Sequence, residues 1–286
     1  MALKLLIPKG RIYDNISKLL CEAGFPVYLA DRTYRPVLGV SWLEAKIMKP
    51  QSVGELLEIG SHDAGFTGID WIKESNARVE EIMDLGFDKV SIVAAIPAST
   101  DENRLKEKKV VAATEYVRLA EGYLKEAGFD YRILRTYGAT EVFPPDDADI
   151  IIDNTASGQT LRENSLKIIG TILESSTRFF ASQEALASAE KRRAIEELAM
   201  LFHAVIEARS RVMLEMNVSK TNYEGLIRNI PSMNSPTVMP LYKDGTENGF
   251  AVKIAVKKTE VPELIPRLKQ LGASDIIEYN LRKVAL

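Results

Sequence analysis

The chain has one cysteine, Cys21, in 286 residues. That excludes an internal disulfide and every metal site built from several thiolates. Cys21 falls on the apolar side of an expected helix, where a thiol packs as a small, inert hydrophobe. Histidine is nearly as scarce. His62 and His203 are the only two, so no serine–histidine or cysteine–histidine constellation points to a covalent nucleophile. His62 reads as a surface or supporting side chain, and His203 as part of a long helix. No apolar run approaches the roughly 20 residues that span a bilayer, and the N-terminus lacks a signal-peptide pattern, so a cytoplasmic protein without a membrane role is expected. A basic excess is missing too. The formal net charge is −3, and nucleic-acid binding is therefore not expected.

What is present is a chain long enough for two or three compact units, with 46% hydrophobic and 27% charged residues, both ordinary for a globular protein. Residues 3–7 read as a strand. Residues 14–23 follow as a helix with Ile16, Leu19 and Leu20 on one face, stopped by Gly24. Residues 63–66 and 90–96 read as strands, the second ended by Pro97, as do residues 110–113 and 150–152. A helix at about 116–127 lies between the last two. Alternation of this kind predicts mostly parallel sheets with helices on both faces, and ligands then gather beyond the carboxyl ends of the strands.

A long polar helix is expected from 183 to 209, with Leu198, Leu201, Phe202, Val205 and Ile206 at helical spacing. The period then changes to two. Val212, Leu214 and Met216 alternate with polar residues, as do Phe250, Val252, Ile254 and Val256, which implies a sheet covered on one face only. Helices at 223–230 and 262–271 and a last strand at 276–281 complete a βαββαβ, ferredoxin-like order. Pro266 sits inside the second of those helices, at a cost of about 3 kcal/mol, so that helix is expected to start late or bend.

The densest chemistry lies at Asp153-Asn154-Thr155-Ala156-Ser157-Gly158-Gln159-Thr160-Leu161, directly after the apolar run Ile150, Ile151, Ile152. Residues 161–169 read as a helix, with Thr160 and Glu163 as a capping box and Gly170 as its C-terminal glycine. Small residues between a strand and a helix start let backbone N–H groups converge on an anion. Asp153 is placed to accept hydrogen bonds from sugar hydroxyls. The loop reads as a seat for a ribose 5-phosphate. On spacing alone an ordinary strand–turn–helix joint accounts for it as well.

The order hydrophobic strand, Asp, small residues, Gly-x-Thr-Leu, Glu-Asn-x-Leu resembles the phosphoribosyl-diphosphate loop of ATP phosphoribosyltransferases, enzymes of the first step of histidine biosynthesis. Leu6-Ile7-Pro8-Lys9-Gly10-Arg11, Asp63-Ala64-Gly65-Phe66-Thr67-Gly68-Ile69-Asp70, Asp84-Leu85-Gly86-Phe87 and Gly138-Ala139-Thr140-Glu141 resemble further segments of that family. Ser235-Pro236-Thr237-Val238 and residues 249–256 resemble the extra domain of its long form.

The resemblance implies a periplasmic-binding-protein-like, two-lobed catalytic part: lobe one at 1–96 with 179–209, lobe two at 97–178, and a regulatory ferredoxin-like domain at 210–286. It implies ATP and phosphoribosyl diphosphate as substrates, magnesium as cofactor, histidine as inhibitor, and a homo-oligomer from dimer to hexamer. By the same resemblance Lys9, Arg32 and Lys49 face the leaving diphosphate, and Asp153 with residues 155–161 holds the phosphoribosyl group. Gly10, Arg11, Asp70 and Glu141 are candidates for the nucleotide or ribose, although Arg11 equally suits a pair with Asp14. Ser235 and Thr237 are candidates for histidine. No dedicated protein cage for the metal is expected.

Two departures stand out. Lys49-Pro50-Gln51-Ser52-Val53-Gly54 occupies a segment where the family has an arginine followed by a Pro/Ala-x-Asp-Ile-Pro pattern. Lysine keeps the charge but loses the planar fork. Ser157 replaces a threonine and keeps the hydroxyl. A catalytically weak regulatory relative and a solute-type binding protein are the alternative readings.

Overall fold

A computed structural model describes residues 2–30, 33–231, 233 and 235–285. Two compact units are present, residues 1–199 and 200–286. In the first, β1 (Leu3–Pro8), α1 (Arg11–Ala23), β2 (Leu43–Met48), α2 (Val53–Glu58), β3 (Ala64–Gly68) and α3 (Ile69–Ser75) precede a long β4 (Val79–Pro97). Then come α4 (Glu102–Leu105), β5 (Lys109–Thr114), α5 (Val117–Glu126), β6 (Asp130–Arg135), β7 (Ile150–Thr155), α6 (Gln159–Glu163) and a second long strand, β8 (Leu166–Ser182). Two helices follow, α7 (Gln183–Ala187) and α8 (Ala189–Ser210), and the units divide within α8.

Eight strands form one mixed sheet in the order β2-β1-β3-β8-β4-β7-β5-β6. The outer pairs β1–β2, β1–β3, β5–β6 and β5–β7 are parallel. The pairs made by β4 and β8 are antiparallel. The sheet is thus α/β with more parallel than antiparallel pairs. β1 and β7 are buried along their apolar runs, with Leu5, Leu6, Ile7, Ile150, Ile151 and Ile152 all at 0% exposure. Each such side chain contributes about 1.5–3 kcal/mol of burial, which pins both strand ends where the turns beyond them begin.

Several expectations need correction. The helix after the phosphate loop is not 161–169. It spans only Gln159–Glu163, and the chain turns at Ser165 (φ 55°) into β8, whose pairing with β4 outweighs the apolar helical spacing. Gly170 is therefore a strand residue lying against the Tyr123 ring rather than a helix cap. The long polar helix is broken at Ser188, which has extended backbone (φ −85°, ψ 118°). Cys21 is exposed. The stripe that α1 buries is Ile16, Leu19, Leu20 and Ala23, and the 100° step per residue carries position 21 off it.

In the second unit β9 (Arg211–Ser219), α9 (Lys220–Ile227), β10 (Thr237–Lys243), β11 (Thr246–Lys257), α10 (Val261–Gln270) and β12 (Ala273–Asn280) form an antiparallel sheet ordered β10-β11-β9-β12, the ferredoxin-like arrangement. Val212, Leu214, Met216 and Val218 alternate inward and meet Val252, Ile254 and Val256 under Leu226, Leu264 and Leu268. α10 does not start late. It begins at Val261 with Pro262 in its first turn and continues through Pro266.

Candidate active site

β7 delivers Asp153 to the carboxyl edge of the sheet, and the chain must then turn within a few residues into α6. Gly158 makes the turn possible with a left-handed backbone (φ 70°), and it is the N-cap position of α6. Its N–H donates to Thr155 Oγ1 at 2.9 Å, and the Gln159 N–H faces Ser157 Oγ at 3.4 Å. No side chain caps the helix, so the Thr160–Glu163 capping box does not form. Glu163 instead accepts from the Gln159 amide at 2.8 Å. Thr160 is exposed, whereas the Leu161 side chain packs in the core at 5% exposure, leaving only its backbone to face the loop. The first-turn N–H groups of a helix have no intrahelical acceptor.

Asp153 Oδ1 accepts from the Asn154 backbone N–H at 2.7 Å and from Asn154 Nδ2 at 3.1 Å. Burial pushes its carboxyl up to about 6. The neighbouring Glu141 and Glu115 carboxylates push the same way, against the pull of the Asn154 N–H and the Thr140 hydroxyl. Asp70 is buried with both oxygens engaged: Oδ1 by Ser175 Oγ at 2.6 Å and Oδ2 by the Tyr116 hydroxyl at 2.8 Å. It orders neighbours rather than offering a free carboxylate.

Three cavities adjoin along this edge. One of about 320 Å³ is lined by Arg11, Glu141 and the loop from Asp153 through Leu161, apart from Gly158. A second of about 500 Å³ is lined by Lys49, Gln51, Glu55, Trp71, Glu74 and Arg135 among others. A third of about 180 Å³ shares Arg11 and Asn154 with the first, and Gln51, Trp71 and Glu115 with the second. Arg11 and Glu141 thus join the loop residues, and Asp70 lines the connecting cavity. Lys9 and Gly10 are exposed on the turn after β1, outside the lining of all three. Lys49 lines the second cavity, which also holds Arg135, and not the loop cavity. Arg32 falls outside the described residues. Ser235 and Thr237 are exposed in the second unit.

Sequence reasoning did not single out Asn154, Tyr116, Trp71, Glu115 or Arg135. Trp71 and Tyr116 stack with ring centroids 4.5 Å apart. Arg135 and Tyr137 sit at and just past the end of β6, a strand the periodicity did not reveal. His62 contacts Ser61 Oγ at 3.1 Å, and desolvation and nearby lysines lower its pKa. It lines none of these cavities.

The architecture is that of an α/β enzyme whose ligand cleft lies at the carboxyl ends of the strands. The family model for HisG, ATP phosphoribosyltransferase, matches residues 49–204, and the model for the HisG C-terminal domain matches residues 208–283. An ATP phosphoribosyltransferase of Chlorobium phaeobacteroides is 38% identical over 289 aligned residues, covering 99% of this chain and 97% of the relative. One from Thermodesulfovibrio yellowstonii is 36% identical over 290, covering 99% and 98%. Among solved structures, an ATP phosphoribosyl transferase (HisG:HisZ) complex from Thermotoga maritima matches with a TM-score of 0.63 at 24% identity, over 70% of this chain and 98% of that one. The chain belongs to the ATP phosphoribosyltransferase family.

Proposed function

We propose that this protein transfers the 5-phosphoribosyl group of phosphoribosyl diphosphate to N1 of ATP, releasing diphosphate, as the first step of histidine biosynthesis. The observation that carries the residue assignment is the cavity at the end of β7, whose wall is almost the whole 153–161 loop together with Arg11 and Glu141. In this reading the loop N–H groups and the Thr155, Ser157 and Thr160 hydroxyls hold the 5-phosphate. Asp153 and Glu141 face the ribose.

The adjoining cavity takes the nucleotide, with Trp71 and Tyr137 as aromatic surfaces and Lys49 and Arg135 as cations. The N1 lone pair attacks the anomeric carbon as the bond to diphosphate breaks with its electron pair, inverting the centre. Charge builds on the ribose ring and on the departing oxygen, so placed carboxylates and cations supply the acceleration and no covalent nucleophile is needed. Lys9 and Arg32 are assigned to the diphosphate by resemblance alone.

Among the described residues, no group of three His, Cys, Asp or Glu side chains is placed to hold a metal ion. Two carboxylates, Asp153 and Glu141, line the loop cavity. Such hard oxygen donors would suit a magnesium ion brought in with the diphosphate, whose charge it would neutralise. The C-terminal ferredoxin-like unit is assigned to inhibition by histidine through Ser235 and Thr237, in a homo-oligomer of dimers up to a hexamer. The division of the first unit into lobes at 1–96 with 179–209 and at 97–178 is likewise part of the proposal, as is a cytoplasmic location. No described helix is long and apolar enough to cross a membrane.

Incubation with ATP, phosphoribosyl diphosphate and magnesium should yield phosphoribosyl-ATP. Inactivity with ATP beside clear activity on another base would move the chain to a different transfer reaction. Deleting the residues after Ser210 should abolish histidine sensitivity, and sensitivity that survives deletion would refute the regulatory assignment.

A further inference from the structure

The Tyr116 hydroxyl has one proton, and its surroundings decide where that proton goes. Tyr116 is 1% exposed, and its ring is held against Trp71. Its oxygen lies 2.8 Å from Asp70 Oδ2, and a carboxylate only accepts. The tyrosine proton is therefore committed to Asp70, whose other oxygen is taken by Ser175. Whatever meets the tyrosine oxygen from the opposite side must donate. The group found there is Asn154 Nδ2, at 3.3 Å. The same nitrogen faces Asp153 Oδ1 at 3.1 Å, so both amide protons have acceptors. Rotating the amide by half a turn would set its oxygen against two acceptors with no proton between them. The network thus fixes the asparagine nitrogen inward and leaves Oδ1 as the free end, at a residue that lines both the loop cavity and the connecting cavity.

We propose that Asn154 binds a ribose hydroxyl of the phosphoribosyl group through Oδ1, and that the Tyr116 hydroxyl is the positioning group that keeps this oxygen facing the ligand. The inference rests on the assignment of the 153–161 loop as the ribose-phosphate seat. Asp153 and Asn154 then present neighbouring acceptors, an arrangement matched to the vicinal diol of ribose. Asn154 contacts the substrate, whereas Tyr116 acts only through Asn154.

The test compares ribose 5-phosphate with its 2-deoxy and 3-deoxy counterparts by calorimetry on the full chain, together with the KM for phosphoribosyl diphosphate. The parent should bind ribose 5-phosphate about three- to tenfold more tightly than the analogue lacking the hydroxyl that Asn154 reads, the scale of one hydrogen bond. Asn154→Leu, or Asn154→Ala should the leucine variant not fold, should erase that preference. Tyr116→Phe keeps the stacked ring and frees the amide. It should shrink the preference and raise the KM for phosphoribosyl diphosphate, leaving the KM for ATP unchanged. The double variant Asn154→Leu/Tyr116→Phe should discriminate no worse than Asn154→Leu alone, because the two residues act in series.

Absence of a preference in the parent, its persistence in the Asn154 variants, or additive effects of the two changes would overturn the inference. A parent that makes no phosphoribosyl-ATP would instead refute the proposed reaction.

Discussion

Replacing Asp153 with asparagine should stabilise the unliganded protein above neutral pH while weakening its hold on phosphoribosyl diphosphate. In the folded protein the Asp153 carboxyl is raised from 3.8 to about 6, chiefly by burial and further by Glu141 and Glu115. A carboxyl that binds its proton more tightly when folded stabilises the fold while protonated. That contribution is complete below about pH 4 and is lost as the pH rises through about 6. A shift of about two units corresponds to about 3 kcal/mol, the most that the ionised carboxylate costs the fold at pH 8. An asparagine there would carry no charge at any pH. The stability of Asp153→Asn minus that of the parent should therefore grow with pH and level off above about pH 7. About half of the difference should appear between pH 5 and pH 8. Urea unfolding followed by tryptophan fluorescence measures it selectively, because both tryptophans, Trp42 and Trp71, lie in the first unit. A difference that is flat with pH, or a variant less stable than the parent at pH 8, would refute the electrostatic reasoning. The functional cost should appear as a raised KM for phosphoribosyl diphosphate.

Gly158→Leu places a side chain at φ 70° with its Cβ crowding Arg162, and should cut kcat/KM on the order of 100-fold in a product-formation assay while the rest of the fold persists. Thr160→Ala should lower affinity for phosphoribosyl diphosphate in a calorimetric titration. Its unfolding free energy should change by less than the roughly 1 kcal/mol of a lost cap, since Thr160 caps nothing. Lys49→Arg should leave turnover unchanged or raise it, because the planar fork binds phosphate bidentately, whereas Lys49→Ala should lower kcat/KM; a harmless alanine would make this a plain surface lysine. Lys191→Met strands the buried Asp63, whose Oδ1 it now meets at 2.6 Å, and should cost about 3–5 kcal/mol by urea unfolding.

The parts of the fold legible in the sequence were those where one period ruled. Ile150, Ile151 and Ile152 announced a strand buried on both faces, and Val212, Leu214 and Met216 a strand buried on one. The long strands β4 and β8 were legible only in part. β4 carries left-handed backbone at Gly86 (φ 68°) and Asp88 (φ 49°), and slips of register between the two strands break the alternation. Residues 166–169 carry apolar spacing that suits a helix as well as a strand. The choice is made by pairing with residues some 70 positions earlier in the chain, which no local pattern contains. Cys21 fails for a smaller reason of the same kind, since apolar neighbours define a stripe and not a cylinder.

The site divides along a similar line. Residues that share one turn, Asp153 to Thr160, were recognisable because backbone geometry, small side chains and a helix start are local properties. Arg11 and Glu141 joined them only through resemblance, and the structure brings both to the same cavity wall. The Tyr116–Asp70–Ser175 triad draws on three separate segments, with a sequence separation of 105 between Asp70 and Ser175. Nothing near any one of them signals the others. A serine inside a strand, a tyrosine before a helix and an aspartate in a helix's first turn each have an ordinary local explanation. What makes them a unit is proton counting. One hydroxyl proton and two amide protons find acceptors within this network, and turning the Asn154 amide over would set its oxygen against two acceptors.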